Sequence, residues 1–177
     1  MDKVEVVSYN SLWAENYSTE RTRILALVGP VFIYLEHIGS TAVPQLASKP
    51  IIDMMAAVQG LDDTPIEALT SLGYETIHTD MKNRLVLRNY GNASRKFHLH
   101  VVEIQTWDTR KERLMRDYLL KAPEAVRAYG ELKAQLAREY PNDAMGYTKA
   151  KTAFIQNIIT QARHELGLPE IDVWNDE

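Results

Sequence analysis

The sequence predicts an α+β fold, in which a mixed or antiparallel sheet is flanked by helices and followed by a C-terminal helical annex. Up to about residue 104, short apolar runs alternate with turn-forming residues, as in strands joined by short loops. Beyond that point, apolar residues recur at helical spacing nearly to the end. Since the 177 residues contain no linker or low-complexity segment, we expect one domain. Its parts are a core over 1–104, the annex over 105–166 and a loosely held tail over 167–177.

The first elements of the core are predicted from apolar runs and from the residues that end them. A helix is predicted over 11–28, because Gly29-Pro30 stops the apolar pattern there. A β-branched and aromatic run predicts a strand over 31–38. A nearly continuous apolar run, interrupted only by Asp53, predicts a second strand over 51–58 that is buried on both faces.

The rest of the core is predicted to be a short helix and a hairpin. Thr64-Pro65-Ile66-Glu67 forms a capping box for the helix, which Gly73 ends. Strands over 84–90 and 96–104 are separated by turn formers at 91–94. Because strand side chains alternate between faces, the polar face of this hairpin, here called the hairpin face, is predicted to be a local cationic surface suited to an anionic ligand. Its residues are Arg84, Arg88, Lys96, His98 and His100.

Three helices are predicted in the annex. Thr109 to Glu112 form a capping box for the first, Pro123 opens the second, and Asp143 caps the third. Their apolar stripes are predicted to be packing surfaces. The stripe of the second helix includes one charged residue, Lys133.

Composition excludes several classes of site and partner. The chain has no cysteine, which excludes disulfides, thiolate zinc sites, iron–sulfur clusters and cysteine nucleophiles. Twenty Lys and Arg against 24 Asp and Glu give a net charge of −4, which argues against broad nucleic-acid or membrane-surface binding. The N-terminus lacks an apolar signal core, and no apolar run reaches the ~20 residues of a membrane span. We therefore expect a cytoplasmic protein without a membrane partner.

The segment 36–53 carries the most informative motif. One predicted strand ends at Gly39-Ser40, and the next strand presents Asp53. Glycine lets a ligand approach the backbone closely, and a serine at a helix N-terminus completes a phosphate cradle. Alternatively, the pair is an ordinary turn whose serine caps a helix.

This segment resembles the nucleotidyltransferase superfamily, in which a Gly-Ser pair precedes an acidic residue on the next strand. The closer resemblance, over nearly the whole chain, is to the GrpB family, which is similar to a branch of that superfamily. It implies a nucleotidyltransferase-like fold that binds a nucleotide or another phosphorylated ligand, with metal-dependent nucleotidyl transfer as its activity. The matching residues include the run Glu36-His37-Ile38-Gly39-Ser40-Thr41-Ala42-Val43-Pro44, Lys49-Pro50, Ile52-Asp53, His98-Leu99-His100-Val101, Arg116-Asp117-Tyr118-Leu119, Leu132-Lys133, Tyr147, Lys151 and Phe154.

The sequence departs from the superfamily at its metal site. Active members usually place a second acid two residues after the first, where this chain has Met55, and a third acid on a later strand. A thioether is a poor ligand for Mg²⁺. This departure favours the alternative of a non-catalytic module, derived from a nucleotidyltransferase, that binds a ligand or a partner.

Asp53, His98 and His100 are the candidate catalytic residues. Two histidines at alternate strand positions and one carboxylate also suit a single divalent metal, with Zn²⁺, Mn²⁺ or Fe²⁺ favoured over Mg²⁺. A single-metal phosphoesterase is therefore a further hypothesis. Alternatively, the histidines bind phosphate or neighbouring groups without a metal, or transfer protons.

Six residues are candidates for binding phosphate or nucleotide. Guanidinium groups bind phosphate with two parallel hydrogen bonds, although arginines on strands are often only solvated. In the superfamily that the chain resembles, the helical annex supplies basic residues to the triphosphate, which implies such a role for the lysine of the last helix. The six residues are Gly39, Ser40, Lys49, Arg84, Arg88 and Lys151.

Overall fold

The computed structural model describes residues 3–92 and 95–174, and a mixed five-stranded sheet lies at its centre. The strand order is β1-β2-β5-β4-β3. Strands β2 and β5 pair in parallel, and the other described neighbours are antiparallel. The predicted α+β class is confirmed. The strands are β1 Tyr34–Ile38, β2 Ile51–Val58, β3 Glu75–Ile77, β4 Leu85–Asn92 and β5 Arg95–Glu103.

Six α-helices are described around this sheet. The predicted first helix is confirmed, whereas the predicted third annex helix is divided at Lys151 into two helices. Strand β3 was not predicted. Within the described residues, none of the helices has both the length and the apolar character needed to cross a membrane. The helices are α1 Leu12–Val28, α2 Ile66–Ser71, α3 Lys111–Leu119, α4 Pro123–Glu139, α5 Ala144–Ala150 and α6 Thr152–Glu165.

Strand β2 is buried on both faces, as its apolar run predicted. On one face, Ile52 and Met54 belong to the main core together with residues of α1 and α2. On the other face, Met55 packs against Trp107, which follows β5. Asp53 shares this second face with Met55, because side chains alternate along a strand. The carboxylate therefore lies on the side of the sheet away from α1.

Ion pairs join the annex to the edge of the sheet. The Glu36 carboxylate of β1 accepts hydrogen bonds from Arg113 Nε at 3.1 Å and from Arg116 Nη1 at 2.7 Å. Arg116 also donates to the backbone carbonyl of His37. Burial raises the pKa of Glu36, but the two arginines lower it further, so that the net shift is downward. Helix α3 is thereby fixed against β1.

Both predicted capping boxes are wrong. The Thr64 hydroxyl donates to Leu61 O, and the Thr109 hydroxyl donates to Thr106 O, so neither caps the helix that follows. In both cases the threonine closes a preceding 3₁₀ turn. The predicted cap of the later helix is confirmed, because Asp143 Oδ1 accepts from the Gly146 amide at 2.8 Å.

The C-terminal segment packs on α6 as far as Val173, contrary to the loosely held tail expected there. Gln156 donates to Ile171 O at 2.8 Å and accepts from the Val173 amide at 3.0 Å. The Val173 side chain is buried. Residues 175–177 lie outside the described residues, as do residues 93–94 of the predicted hairpin turn.

A buried ion pair connects the start of β4 to α3. Arg84 Nη1 donates to Glu112 Oε1 at 2.7 Å, and the Arg84 side chain is wholly buried. Burial raises the pKa of the Glu112 carboxyl, but the Arg84 charge and hydrogen bond lower it more, so the pKa lies well below its usual range. Glu112 therefore serves this pair and not the predicted cap.

Glu112→Gln is expected to lower the free energy of unfolding by about 3 kcal/mol, because it leaves a buried guanidinium without its carboxylate. Urea denaturation measures the loss. The matched control is Glu75→Gln, which removes a half-exposed pair with Arg88 and is expected to cost less than about 1 kcal/mol. Equal losses in the two variants would contradict a structural role for the Arg84–Glu112 pair.

Candidate functional site

A polar cleft of about 180 Å³ lies between the sheet and the annex. Strands β2 and β5 contribute Asp53 and His98 near their N-terminal ends, which lie side by side because the strands are parallel. Helix α4, helix α5 and the α5–α6 junction contribute the facing wall. We call it the lysine cleft. Its lining residues are Ser40, Thr41, Ser48, Lys49, Ile51, Asp53, His98, Lys133, Tyr147 and Lys151.

The Gly39-Ser40 turn forms one rim of the lysine cleft. Gly39 has φ +70° and ψ −172°, a conformation almost restricted to glycine. A Cβ atom there would stand 2.7 Å from Asp53 Oδ2. The sequence predicts that a ligand approaches the backbone closely at Gly39. In the structure, the group that lies close to this glycine is the Asp53 carboxylate of the chain itself.

His37 supports this turn and does not enter the cleft lining. Its Nε2 lies 2.9 Å from Thr41 Oγ1, and the Thr41 hydroxyl also donates to Ile51 O. The His37 ring stacks on Tyr17 at 4.8 Å between centroids. Burial lowers the pKa of His37 to about 4, although Asp53 opposes the shift, so the imidazole is neutral near pH 7. His37 is a structural residue.

Three lysines concentrate positive charge in the cleft. Lys133 is 2% exposed, and its ammonium finds no hydrogen-bond acceptor among the described residues. It lies 4.5 Å from the Tyr129 ring centroid, while Lys151 and Lys49 lie 4.3 and 5.4 Å from that of Tyr147. Aromatic faces stabilise ammonium groups without neutralising them. The cleft therefore retains cationic charge that these contacts do not cancel.

Burial and mutual repulsion perturb these lysines. Burial, followed by the charge of Lys151, lowers the pKa of Lys133 to about 7. Burial and Lys49 lower the pKa of Lys151 to about 8, although Asp53 opposes the shift. Both shifts report an environment in which positive charge is costly.

Asp53 and His98 meet across the parallel strands. His98 Nδ1 lies 3.2 Å from Asp53 Oδ1, and His98 Nε2 lies 2.5 Å from the Tyr90 hydroxyl. This places two of the three predicted catalytic residues in contact at the lysine cleft. Tyr90 was not singled out from the sequence.

The structure does not bring Arg84 and Arg88 into the cleft lining. Arg84 is buried against Glu112, and Arg88, the cross-strand neighbour of His98, donates from Nε to Glu75 Oε1 at 2.6 Å. Two of the cations predicted on the hairpin face are therefore paired with glutamates. Of the six residues predicted to bind phosphate, Ser40, Lys49 and Lys151 line the cleft, Gly39 precedes Ser40 at its rim, and the two arginines are not among the lining residues.

The residues present do not fit the predicted metal centre. His100 is buried and its Nδ1 faces Arg84 Nη1 at 3.5 Å; burial lowers its pKa, although Asp53 and Glu112 oppose the shift. A guanidinium beside an imidazole repels a metal cation. Within residues 3–92 and 95–174, no group of three or more His, Cys, Asp or Glu side chains is arranged to hold a metal ion. Asp53, His98 and His100 therefore do not assemble into a site for Zn²⁺, Mn²⁺, Fe²⁺ or Mg²⁺.

Lys133 and Tyr147 line the cleft but are not among the predicted site residues, because both lie on the apolar stripes of the annex helices, which predict packing surfaces. Lys133 does lie on the buried side of α4, with Tyr129 and Leu136. A lone charge within an apolar stripe was the signal that marked it, since lysine is rarely buried without a partner.

Comparison with known proteins identifies the family of this chain. The family model described as GrpB protein matches residues 3–161. The UPF0157 protein YqkA of Bacillus subtilis is 33% identical over 166 residues, which are 91% of this chain and 48% of YqkA. This chain thus spans about half the length of that relative. The crystal structure of conserved protein GrpB from Enterococcus faecalis matches with a TM-score of 0.82 at 29% identity, covering 92% of this chain and 99% of that one.

A more distant likeness confirms the predicted nucleotidyltransferase-like fold. The Cid1 poly(U) polymerase, in its structure with the UTP analogue UMPNPP, matches with a TM-score of 0.53 at 12% identity. The match covers 82% of this chain and 49% of Cid1. At this identity the likeness concerns the fold alone.

Gly39→Ala is expected to destabilise the protein, by about 1–3 kcal/mol for the backbone conformation alone and further through the collision with Asp53. Gly29→Ala is the matched control, because Gly29 also has positive φ, but no atom of the described residues lies within 4 Å of the point that its Cβ would occupy. Urea denaturation of both variants separates collision from strain. Equal losses would contradict the close contact between Gly39 and Asp53.

Lys133→Met is expected to stabilise the protein by about 1–4 kcal/mol near neutral pH, since it replaces a buried charge by an apolar side chain. Between pH 7 and the ordinary pKa of 10.5, the unfolded chain binds the proton that folded Lys133 has lost, so wild-type stability rises with pH. The advantage of the variant should be full below pH 7 and shrink toward about pH 10.

Urea denaturation across this pH range measures the effect, with Lys121→Met as control. Lys121 is exposed, and its substitution should change stability by less than about 0.5 kcal/mol. A Lys133→Met variant that is less stable than the wild type would contradict an uncompensated buried ammonium.

Proposed function

Because the chain belongs to the GrpB family, and its fold is nucleotidyltransferase-like, we propose that it binds a nucleotide or another phosphorylated ligand, with the phosphate groups in the lysine cleft. The observation that carries this proposal is the buried Nζ of Lys133, which has no hydrogen-bond partner among the described residues. A buried charge is costly unless a counter-charge reaches it. A phosphate in the cleft provides that counter-charge.

The lining of the cleft supports an anion of this kind. Lys49, Lys133 and Lys151 each carry three donors on a flexible stem, and Ser40 adds a hydroxyl at the rim. Asp53 repels phosphate oxygens, so the phosphates bind on the lysine side of the cleft. The rest of the ligand then extends past Asp53 and His98.

The cleft is too small for a complete nucleotide. Its volume of about 180 Å³ lies below the roughly 300–1,000 Å³ that enclose most of a drug-sized ligand. The phosphate groups are therefore enclosed, while the nucleoside or other carrier of the phosphate remains near the surface.

A second candidate function is ligand binding without transfer chemistry. Met55 stands where an acid would complete a two-metal site, and it is buried against Trp107. This observation favours a binding module derived from a nucleotidyltransferase. The single-metal phosphoesterase has no such support, because His100 faces Arg84.

Titration calorimetry with nucleoside triphosphates, with and without added divalent cation, tests the proposed function. Lys133→Met and Lys151→Met are each expected to weaken binding at least about tenfold, because a hydrogen bond to a charged group contributes about 1.5–3 kcal/mol. Lys121→Met, at an exposed position outside the cleft lining, should bind as the wild type does. Unchanged binding by both cleft variants would contradict the proposal.

A further inference from the structure

Three side chains form a continuous hydrogen-bonded chain that begins in the lysine cleft. Asp53 Oδ1 lies 3.2 Å from His98 Nδ1, and the Tyr90 hydroxyl lies 2.5 Å from His98 Nε2. The Tyr90 ring also stacks on the His98 ring, with 5.6 Å between centroids. His98 is thus fixed from both sides, and Tyr90 lies one hydrogen bond from a residue of the cleft lining.

The partners of His98 define the direction of these hydrogen bonds. A carboxylate only accepts, so a neutral His98 carries its proton on Nδ1 and donates it to Asp53. Nε2 is then an acceptor, and the Tyr90 hydroxyl donates to it. A hydroxyl hydrogen-bonded to a base, with that base oriented by a third group, is the arrangement of an activated nucleophile.

The surroundings of Tyr90 favour negative charge on its oxygen. Arg88 and Lys96 each place a cationic group 5.5 Å from the Tyr90 ring centroid. These charges attract the phenolate that forms when the proton leaves. The pairing of Arg88 with Glu75 holds the guanidinium at this position, which gives the hairpin arginine a role outside the cleft.

We propose that Tyr90 is a covalent acceptor site, at which the chain takes up the nucleotidyl group of a nucleoside triphosphate bound in the lysine cleft. This inference rests on the proposed function. The oxygen of Tyr90 attacks the α-phosphorus, and a bond forms between them. The bond from that phosphorus to the oxygen bridging to the β-phosphate breaks, and its electron pair leaves with pyrophosphate. His98 Nε2 takes the phenolic proton.

The lysine cleft supplies the charge that this step requires. Pyrophosphate gains negative charge as it leaves, and Lys49, Lys133 and Lys151 are placed to stabilise it. Asp53 is a positioning residue, because it acts through the orientation and tautomer of His98. The product is a tyrosyl nucleotide ester on the chain itself.

Incubation with nucleoside triphosphates radiolabelled on the α-phosphate tests the proposal. Wild-type protein is expected to retain label after denaturation, to gain the mass of one nucleoside monophosphate residue, and to carry it on Tyr90 in fragment spectra. Tyr90→Phe keeps the ring but should lose the label. His98→Gln should slow labelling about 10²-fold or more, as expected for loss of a general base.

The matched control is Tyr34→Phe, whose hydroxyl belongs to an exposed tyrosine stacked on Trp107, and it should be labelled as the wild type is. Asp53→Asn should slow labelling and also change the nitrogen NMR shifts of the His98 ring, which report its tautomer. Thermal unfolding of each variant checks that it is folded.

Binding measured on the same wild-type protein separates the outcomes. Wild-type protein that binds triphosphate without becoming labelled overturns the Tyr90 proposal and leaves the proposed function standing. Wild-type protein that binds none overturns both. Label on another residue, or equal labelling of Tyr90→Phe, also overturns the assignment to Tyr90.

Discussion

The parallel pairing of β2 with β5 at the centre of the sheet is the contact on which the candidate site depends. Its register sets Asp53 opposite His98 and Met55 opposite His100. It joins residues 45 positions apart in the chain, and the N-terminal ends of both strands therefore open at the same edge. A shift of one residue would turn His98 to the opposite face, into the main core. The buried apolar residues of both strands fix the register and so fix the site.

The annex completes the cleft because it is tied to the same sheet. Glu36 binds Arg113 and Arg116 of α3, and an apolar cluster packs the segment after the Gly39-Ser40 turn against α3 and α4. Helix α4 then presents Lys133 to the strands. The burial that holds these helices together is also what makes the lysine charges costly. Under the proposed function, Lys133 lowers stability in the empty cleft and attracts an anion into it, a trade-off between stability and function.

On the face of the sheet that carries Asp53, the arginines and the lysines differ in how far carboxylates pair with them. Arg84 is matched by Glu112 and Arg88 by Glu75, so that these arginines organise the fold and the surroundings of Tyr90. For the three lysines of the cleft, the only carboxylate among the described residues of the cleft lining is that of Asp53. Asp53 is in turn engaged with His98, which links the lysine cleft to Tyr90. This face therefore combines lysine side chains with a histidine-centred hydrogen-bond chain, and its described residues contain no cluster of three or more acids and histidines arranged for a metal ion.

The sequence by itself determined the α+β class, helix α1, strand β2 and the Gly39-Ser40 turn, because these follow from local periodicity and turn chemistry. It also indicated His98, Lys49 and Lys151. Only the tertiary structure decided what each charge contacts. Glu112 was predicted to cap its own helix, yet it binds Arg84, 28 residues away. Lys133 lies on a predicted packing stripe, and only the assembled fold shows that it also lines the lysine cleft. Periodicity specifies which face of an element is buried, but the electrostatic partner of a side chain comes from a distant segment, and only the assembled fold brings the two together.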